Sequence, residues 1–215
     1  MKDASPPRAD RAAIFAGGAG ARLGGVDKGG LEIGGEALWR RVVARIGPQA
    51  DGMVVLAPAR PDWMEEIDRA GWLQDAIALS GGRAGPAAGL VAALRQLLAE
   101  KGPEARLLTA PVDAPFAPRD LFARLEAARL AAGAAASLVH HEGGLHPVFG
   151  VWLAACAPDI GAAFDAGERA LHRLAEKVGA VPCAAWAGVH PDPFFNINTP
   201  EDLSAAEAAI SAPPG

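Results

Sequence analysis

The residues best suited to chemistry cluster near the start of the chain. They read Ile14-Phe15-Ala16-Gly17-Gly18-Ala19-Gly20-Ala21-Arg22-Leu23-Gly24-Gly25-Val26-Asp27-Lys28. Glycine has no Cβ and tolerates positive φ, so such a loop lets backbone N–H groups approach a ligand closely. Successive N–H groups turned inward form a concave anion site. Arg22 adds a planar fork for phosphate oxygens and Lys28 a point charge. Together they predict a triphosphate cradle. A Walker loop is excluded, because Lys28 stands between Asp27 and Gly29 rather than in Gly-Lys-Ser/Thr. In a dinucleotide G-x-G-x-x-G fingerprint, Gly18 and Gly20 fit, but Leu23 takes the third position and Gly24 comes one residue late. A looser dehydrogenase variant stays open on this loop alone.

Four further constellations accompany it. Thr109-Ala110-Pro111-Val112-Asp113-Ala114-Pro115-Phe116 holds one carboxylate, Asp113. Beside a triphosphate, that carboxylate suits Mg²⁺, a hard cation that shares phosphate oxygens. Without a triphosphate, Asp113 reads as a turn residue before Pro115. Gly85-Pro86-Ala87-Ala88-Gly89 opens a helix, where small residues can lie against a base or ribose. His146-Pro147 follows a glycine turn, with His140 and His141 close by in sequence. No cysteine stands at ligand spacing from them, so no zinc site is expected there. In Asn196-Ile197-Asn198 the alternation puts both amides on one face of an extended segment. They suit a polar substrate or the metal; as turn residues before a capped helix they would carry no chemistry.

Strands alternating with helices must position these groups. Ala12–Ala16 reads as a short buried strand feeding the glycine loop. Leu31–Glu36 is a short excursion ending in a turn. Leu38, Val42 and Ile46 share a helix face, and Gly47-Pro48 stops that helix. Met53–Ala57 is the second strand, Asp62–Arg69 a weaker helix, Ala76–Leu79 a short strand, and residues 80–86 a loop. Ala87–Glu100 is a helix, with Leu90, Val91, Leu94, Leu97 and Leu98 at spacings of three and four. Arg106–Ala110 is a buried strand, and Pro118-Arg119-Asp120 opens the next helix. Ala134–Val139, Val148–Leu153 and Val181–Trp186 are strand candidates around a helix at Glu168–Val178. Thr199 caps a last helix from Pro200 that ends before Pro213. The alternation predicts an α/β, doubly wound, mostly parallel sheet with helices on both faces. Residues 1–11, polar and proline-bearing, read as a flexible N-terminus, and 12–210 as one domain.

Composition narrows the partners. With 20 Lys and Arg against 25 Asp and Glu, the net charge is −5. Nothing in that balance attracts nucleic acid or an anionic membrane, so positive charge at a phosphate site must be local. Cys156 and Cys183 form no C-x-x-C pair and read as buried small hydrophobes. No apolar run suits a signal peptide or a spanning helix, and a cytoplasmic protein is expected.

The motifs resemble those of the molybdenum cofactor guanylyltransferases, the MobA-type nucleotidyltransferases. Phe15-Ala16-Gly17-Gly18, Arg22-Leu23-Gly24-Gly25 and Asp27-Lys28 follow the pattern L-A-G-G-x-x-x-R-M-G-G-x-D-K, with Phe15 and Leu23 as conservative departures. Pro111-Val112-Asp113-Ala114-Pro115 matches P-x-D-x-P; Gly85 to Gly89 resembles G-P-L-A-G. His146-Pro147-Val148-Phe149 and Phe194 to Leu203 resemble H-P-x-F/I and F-x-N-V/I-N-T-P-E-E/D-L. The resemblance runs from about residue 12 to 205. It implies a Rossmann-like nucleotidyltransferase domain that uses GTP, with Mg²⁺ or Mn²⁺, to convert molybdopterin into its guanine dinucleotide. It assigns Arg22, Lys28 and Asp113 to catalysis, with Asp113 holding the metal. Phe15, Ala16, Gly17, Gly18, Arg22, Gly25, Lys28, Gly85, Pro86 and Asp113 fall to the nucleotide. His146, Arg169, Asn196 and Asn198 fall to molybdopterin. Other proteins of molybdenum cofactor synthesis, or acceptor molybdoenzymes, are the implied partners. The alternatives are a cytidylyl or sugar-phosphate nucleotidyltransferase and a non-catalytic nucleotide-binding or cofactor-delivery protein. Three departures bear on this choice: Gly30 where an apolar residue is usual, no Asn in Val54–Pro58, and no carboxylate in residues 76–84.

Overall fold

A computed structural model describes residues 6–17, 19–20, 26–67, 70–74 and 85–211, with only the backbone described at 19–20, 26 and 70–74. In chain order, β1 (Arg11–Phe15) is followed by a small ribbon of β2 (Ala19–Gly20) and β3 (Val26–Asp27), then a second ribbon of β4 (Glu32–Ile33) and β5 (Glu36–Ala37). Helix α1 (Leu38–Ile46) precedes β6 (Met53–Ala57) and β7 (Ala70–Gln74). Helix α2 (Gly85–Lys101), β8 (Arg106–Pro111) and α3 (Leu121–Ala132) come next. A hairpin of β9 (Ala136–His141) and β10 (Gly144–Leu153) leads to helices α4 (Ala157–Asp165) and α5 (Leu171–Lys177). Strand β11 (Val181–Cys183) and helix α6 (Pro200–Ser211) complete the described elements.

The seven-stranded sheet has the order β7-β6-β1-β8-β10-β9-β11. Every strand except β10 runs the same way, so the sheet is mostly parallel, as expected. Helices cover both faces because each central strand is apolar on both sides. Ala12 and Ile14 of β1, Val55 of β6, and Leu108 and Ala110 of β8 pack with Val42 and Ile46 of α1 and Phe122 and Leu125 of α3. Ala13, Val54, Leu56 and Leu107 face the opposite side, against Leu90, Val91, Leu94 and Leu97 of α2 and Ile160 and Phe164 of α4. Within β1, alternate residues serve alternate cores, which is the period of two read directly.

Some expectations change. The stretch expected as a helix from Asp62 to Arg69 is a 3-10 turn at Asp62–Glu66, and strand β7 follows at Ala70–Gln74. Residues 68–69 lie outside the described residues, as do residues 75–84 with the strand expected at Ala76–Leu79. Gly85 and Pro86 belong to the first turn of α2 rather than to the loop before it. The sequence reading assigned nothing to α4. Its inward stripe is Ala157, Ile160, Gly161 and Phe164, and alanines on the other faces blur the contrast that reveals a helix. Strand β9 starts two residues later than expected, and β10 begins at Gly144 as the return arm of a hairpin. Strand β11 stops at Cys183, short of Trp186. Residues 6–10 are not loose. Ala9 is fully buried, its N–H donates to the Gln49 carbonyl at 2.9 Å, and Asp10 accepts from Arg106 N at 2.9 Å. Their polarity reflects backbone-anchoring side chains, not solvation. Cys156 and Cys183 are free and buried, and burial raises the Cys156 thiol to about 11.

Candidate active site

Strands β1 and β8 lie side by side, yet the chain leaves β1 toward β6 on one side and reaches β8 on the other. In open α/β sheets such a reversal leaves a crevice beyond the strand carboxyl ends, where ligands bind. Phe15 pairs with Pro111, and Val112 N donates to the Phe15 carbonyl at 2.9 Å. Ala16, Gly17 and Asp113 therefore leave the sheet at one edge. Gly17 packs close against Pro58: a Cβ there would lie 3.1 Å from the proline ring.

Lys28 is held by a short anchored turn. Asp27 Oδ1 accepts from Gly29 N at 2.9 Å and so caps the 3-10 turn Lys28–Gly30. Asp27 Oδ2 accepts from Trp63 Nε1 at 2.8 Å. Trp63 in turn stacks on Trp39 of α1, with ring centroids 5.8 Å apart. Gly29 is required here by contact: a Cβ would meet the Trp63 indole at 2.7 Å. Asp27 and Trp63 had no assigned role in the sequence reading. Asp27 sat in the motif, but its tryptophan partner is 36 residues away.

The Lys28 ammonium joins three segments. It donates to Asp113 Oδ2 and to Asn198 Oδ1, each at 2.7 Å. The Lys28 and Asp113 side chains are only 15% and 16% exposed. Between the two asparagines, Ile197 N donates to the Asp113 carbonyl at 3.0 Å, so this segment docks edge-on against the β8 loop. The Ile197 side chain is buried with Ile33, Leu38 and Ala206. Beyond it, a reciprocal cap fixes the start of α6. Asp202 Oδ2 accepts from Asn198 N and Thr199 N, both at 2.9 Å, while Thr199 Oγ1 accepts from Asp202 N at 3.2 Å. These bonds, the Asn198 amide first, hold the Asp202 carboxyl below its ordinary range. Asn198 Nδ2 donates to the Asn196 carbonyl at 3.4 Å, and Asn196 Oδ1 is a buried acceptor with no hydrogen-bond partner. Lys28 and Asn198, read as serving nucleotide and acceptor separately, are thus in direct contact.

The other expected residues lie around or outside this knot. Gly85, at φ +59°, and Pro86 open α2. That helix links parallel strands β7 and β8, so its N-terminus lies at the same sheet edge. His146 on β10 packs on Phe194, centroids 5.6 Å apart, and burial lowers its pKa, leaving the ring neutral near pH 7. Between His146 and Gly150 the β9–β10 register shifts, at the point where Pro147 has no N–H to give. Arg169 is engaged elsewhere: it donates to the carbonyls of Phe164 and Glu168 and lies 4.0 Å over the Phe164 ring. No bond among the described residues links it to Lys28, Asp113 or the asparagines. Gly18, Arg22 and Gly25 lie outside the described residues.

Comparison with known proteins shows the family. The family model described as "MobA-like NTP transferase domain" matches residues 12–181. A molybdenum cofactor guanylyltransferase of Rhizobium meliloti (strain 1021) is 37% identical over 202 residues, covering 92% of this chain and 90% of that protein. One of Cereibacter sphaeroides (strain ATCC 17029 / ATH 2.4.9) is 39% identical over 199 residues, covering 92% and 95%. The crystal structure of molybdopterin-guanine dinucleotide biosynthesis protein A from Archaeoglobus fulgidus superposes with a TM-score of 0.74 at 25% identity, covering 94% of this chain and 98% of that one. A 4-diphosphocytidyl-2C-methyl-D-erythritol synthase from Anaerococcus prevotii shares the fold, with a TM-score of 0.69 at 14% identity. With its motif residues at the strand-order reversal and a family match over most of its length, the chain belongs to the MobA-like NTP transferase family of nucleotidyltransferases.

Proposed function

We propose that this nucleotidyltransferase transfers GMP from GTP to the terminal phosphate of molybdopterin, forming the guanine dinucleotide and releasing pyrophosphate. The observation that carries this reading is the Lys28 ammonium set between Asp113 and Asn198 at the sheet edge. The relatives named for that activity, at 37% and 39% identity, supply the substrate pair.

In the reaction, a phosphate oxygen of the acceptor attacks the α-phosphorus of GTP. The bond from that phosphorus to the bridging oxygen breaks, and pyrophosphate leaves. The nucleophile is already anionic, so positioning and charge neutralisation supply the catalysis rather than a strong base. Lys28 and Arg22 provide positive charge for the triphosphate. Glycines 17, 18 and 25, with Phe15 and Ala16, supply backbone approach, and Gly85-Pro86 lies against the nucleoside. Asn196, Asn198 and His146 face the acceptor, with Arg169 as a more distant cation.

The site's donor set fits a hard divalent cation. Asp113 Oδ2 and Asn198 Oδ1 converge at Lys28, and two residues before Asn198 the buried Asn196 Oδ1 is an acceptor with no partner, all oxygens. Asp113 would hold Mg²⁺, or Mn²⁺, with the Asn198 amide oxygen beside it. Such an ion supplies charge neutralisation at the phosphate oxygens. The same reading puts the chain in the cytoplasm, passing its product to other molybdenum cofactor proteins or to molybdoenzymes. No helix among the described residues is long and apolar enough to cross a membrane.

The test is pyrophosphate release with each nucleoside triphosphate, with and without molybdopterin. Release that requires both GTP and molybdopterin supports the proposal. A preference for CTP moves the assignment to cytidylyl transfer, and nucleotide binding without release moves it to a delivery protein.

A further inference from the structure

The β9–β10 hairpin carries a second group of ligating side chains that the reaction does not use. His141 ends β9 and is 94% buried by the complement of its 6% exposure. Its Nε2 is buried and has no hydrogen-bond partner. Asp192 Oδ1 lies 3.3 Å from that nitrogen, yet off the line along which a ring N–H would donate. Glu142 Oε1 lies 4.0 Å from it. One ligand atom from each of the three side chains lies within 4.8 Å of the others. An imidazole nitrogen facing two carboxylates without a hydrogen bond is an arrangement that a shared cation, a proton or a metal ion, stabilises.

A shared metal ion accounts for the spacing. Two ligands on a tetrahedral Zn²⁺ at about 2.0–2.1 Å are about 3.3–3.4 Å apart, with each donor off the other's axis. The His141–Asp192 separation of 3.3 Å matches that edge. Glu142, largely exposed and 4.0 Å from the His141 nitrogen, is the third ligand within reach. The surroundings already orient the ligands. Asp192 Oδ1 accepts from Phe194 N at 2.8 Å, and the His141 ring packs edge-on to Phe194 with centroids 5.2 Å apart. Such supporting contacts typically hold metal ligands in place. Glu142 also sits at φ +47°, an uncommon conformation for a residue with a long side chain. A cavity of about 250 Å³ lined by His141 and Glu142 adjoins the group and offers an entry path.

We propose that His141, Asp192 and Glu142 bind a Zn²⁺ ion that clips the β9–β10 turn to the segment leading into Asn196 and Asn198. The absence of a nearby cysteine had argued against zinc at these histidines; the carboxylate of Asp192, 51 positions beyond His141 in the numbering, supplies what the local sequence lacked. Zinc accepts mixed imidazole and carboxylate donors with an open position.

The test uses the full chain stripped of metal and titrated with Zn²⁺ in competition with a chromophoric chelator. Substituted Co²⁺ reports ligand geometry by its visible absorption. One ion per chain should bind at this site, with an affinity that Asp113→Asn leaves unchanged; any second ion that depends on Asp113 belongs to the phosphate site. Asp192→Asn, which keeps an acceptor for Phe194 N, should weaken binding about tenfold or more. His141→Asn should do the same, and the Co²⁺ bands should lose intensity in both. If His141→Asn fails to fold, Asp192→Asn decides alone. No saturable Zn²⁺ binding, or Zn²⁺ and Co²⁺ binding unchanged in Asp192→Asn, would each overturn the site.

Discussion

Two ion pairs of nearly equal length do opposite things in this molecule. Arg129 and Glu126 stand three residues apart on α3, buried, and meet through two bonds of 2.8 Å. The remaining Arg129 nitrogen donates to the Ala134 carbonyl at 3.0 Å, just past the helix end. The Arg129 pKa is raised, first by the hydrogen bonds it donates to Glu126. Each nitrogen of that guanidinium is spent on the fold. Lys28 and Asp113 stand 85 residues apart and meet through one bond of 2.7 Å. Their side chains keep contact with solvent, and Lys28 also donates to Asn198, a residue of a third segment. A planar fork in a closed pocket stabilises a structure. A point charge on a flexible stem that keeps contact with solvent leaves capacity for a ligand.

Breaking each pair should show the contrast. The largest effect is expected from Glu126→Ala, which leaves the Arg129 guanidinium buried and unpaired. It should cost about 3 kcal/mol or more of stability by denaturant titration, while pyrophosphate release per folded molecule stays near wild type. Asp113→Asn should reverse the pattern. Turnover should fall about a hundredfold, equivalent to about 2.7 kcal/mol, with stability changed by no more than about 1 kcal/mol because the pair keeps solvent contact. A destabilised but active Asp113→Asn would mean that this pair, too, is structural.

Two further variants probe the supports of the site. Gly29→Ala drives a Cβ into the Trp63 indole, which is held against Trp39 and cannot swing away freely. Overpacking of this kind costs about 1–3 kcal/mol. Because the same turn presents Lys28, activity should fall as well; a calorimetric melt and initial rates separate the two. Asp202→Ala removes the acceptor for Asn198 N and Thr199 N. Losing a helix cap costs about 1 kcal/mol, and the KM for molybdopterin should rise more than the KM for GTP. Equal rises would indicate that Asn198 serves the nucleotide through Lys28 instead.

Much of the fold was legible because its signals are local. Strand β1 and helices α1, α2 and α6 declare themselves by apolar period, by Gly47-Pro48, and by Thr199-Pro200. Helix α4 escaped because it is short and its inward stripe includes Ala157 and Gly161, small residues that contrast little with the outward Ala162 and Ala163. Strand β7 escaped because Ala70-Gly71 is a weak strand opening, and pairing with β6 decides its state. The hairpin position of His146 escaped because β10 runs against its neighbours, a choice made by sheet pairing rather than by the strand itself.

The candidate site divides along the same line. Glycines, charges and amides at short spacing were enough to nominate Lys28, Asp113, Asn196 and Asn198, because the residue types themselves limit the chemistry. Their mutual contact was not in the sequence: Lys28 reaches Asn198 across 170 positions only when β1, β8 and the start of α6 share a sheet edge. The same holds for Asp27 with Trp63 and for His141 with Asp192, whose partners lie in separate segments. The sequence determined which groups could bind phosphate and metal. The tertiary structure alone decided which met, because a hydrogen bond or shared ion depends on angstrom distances that chain separation does not encode.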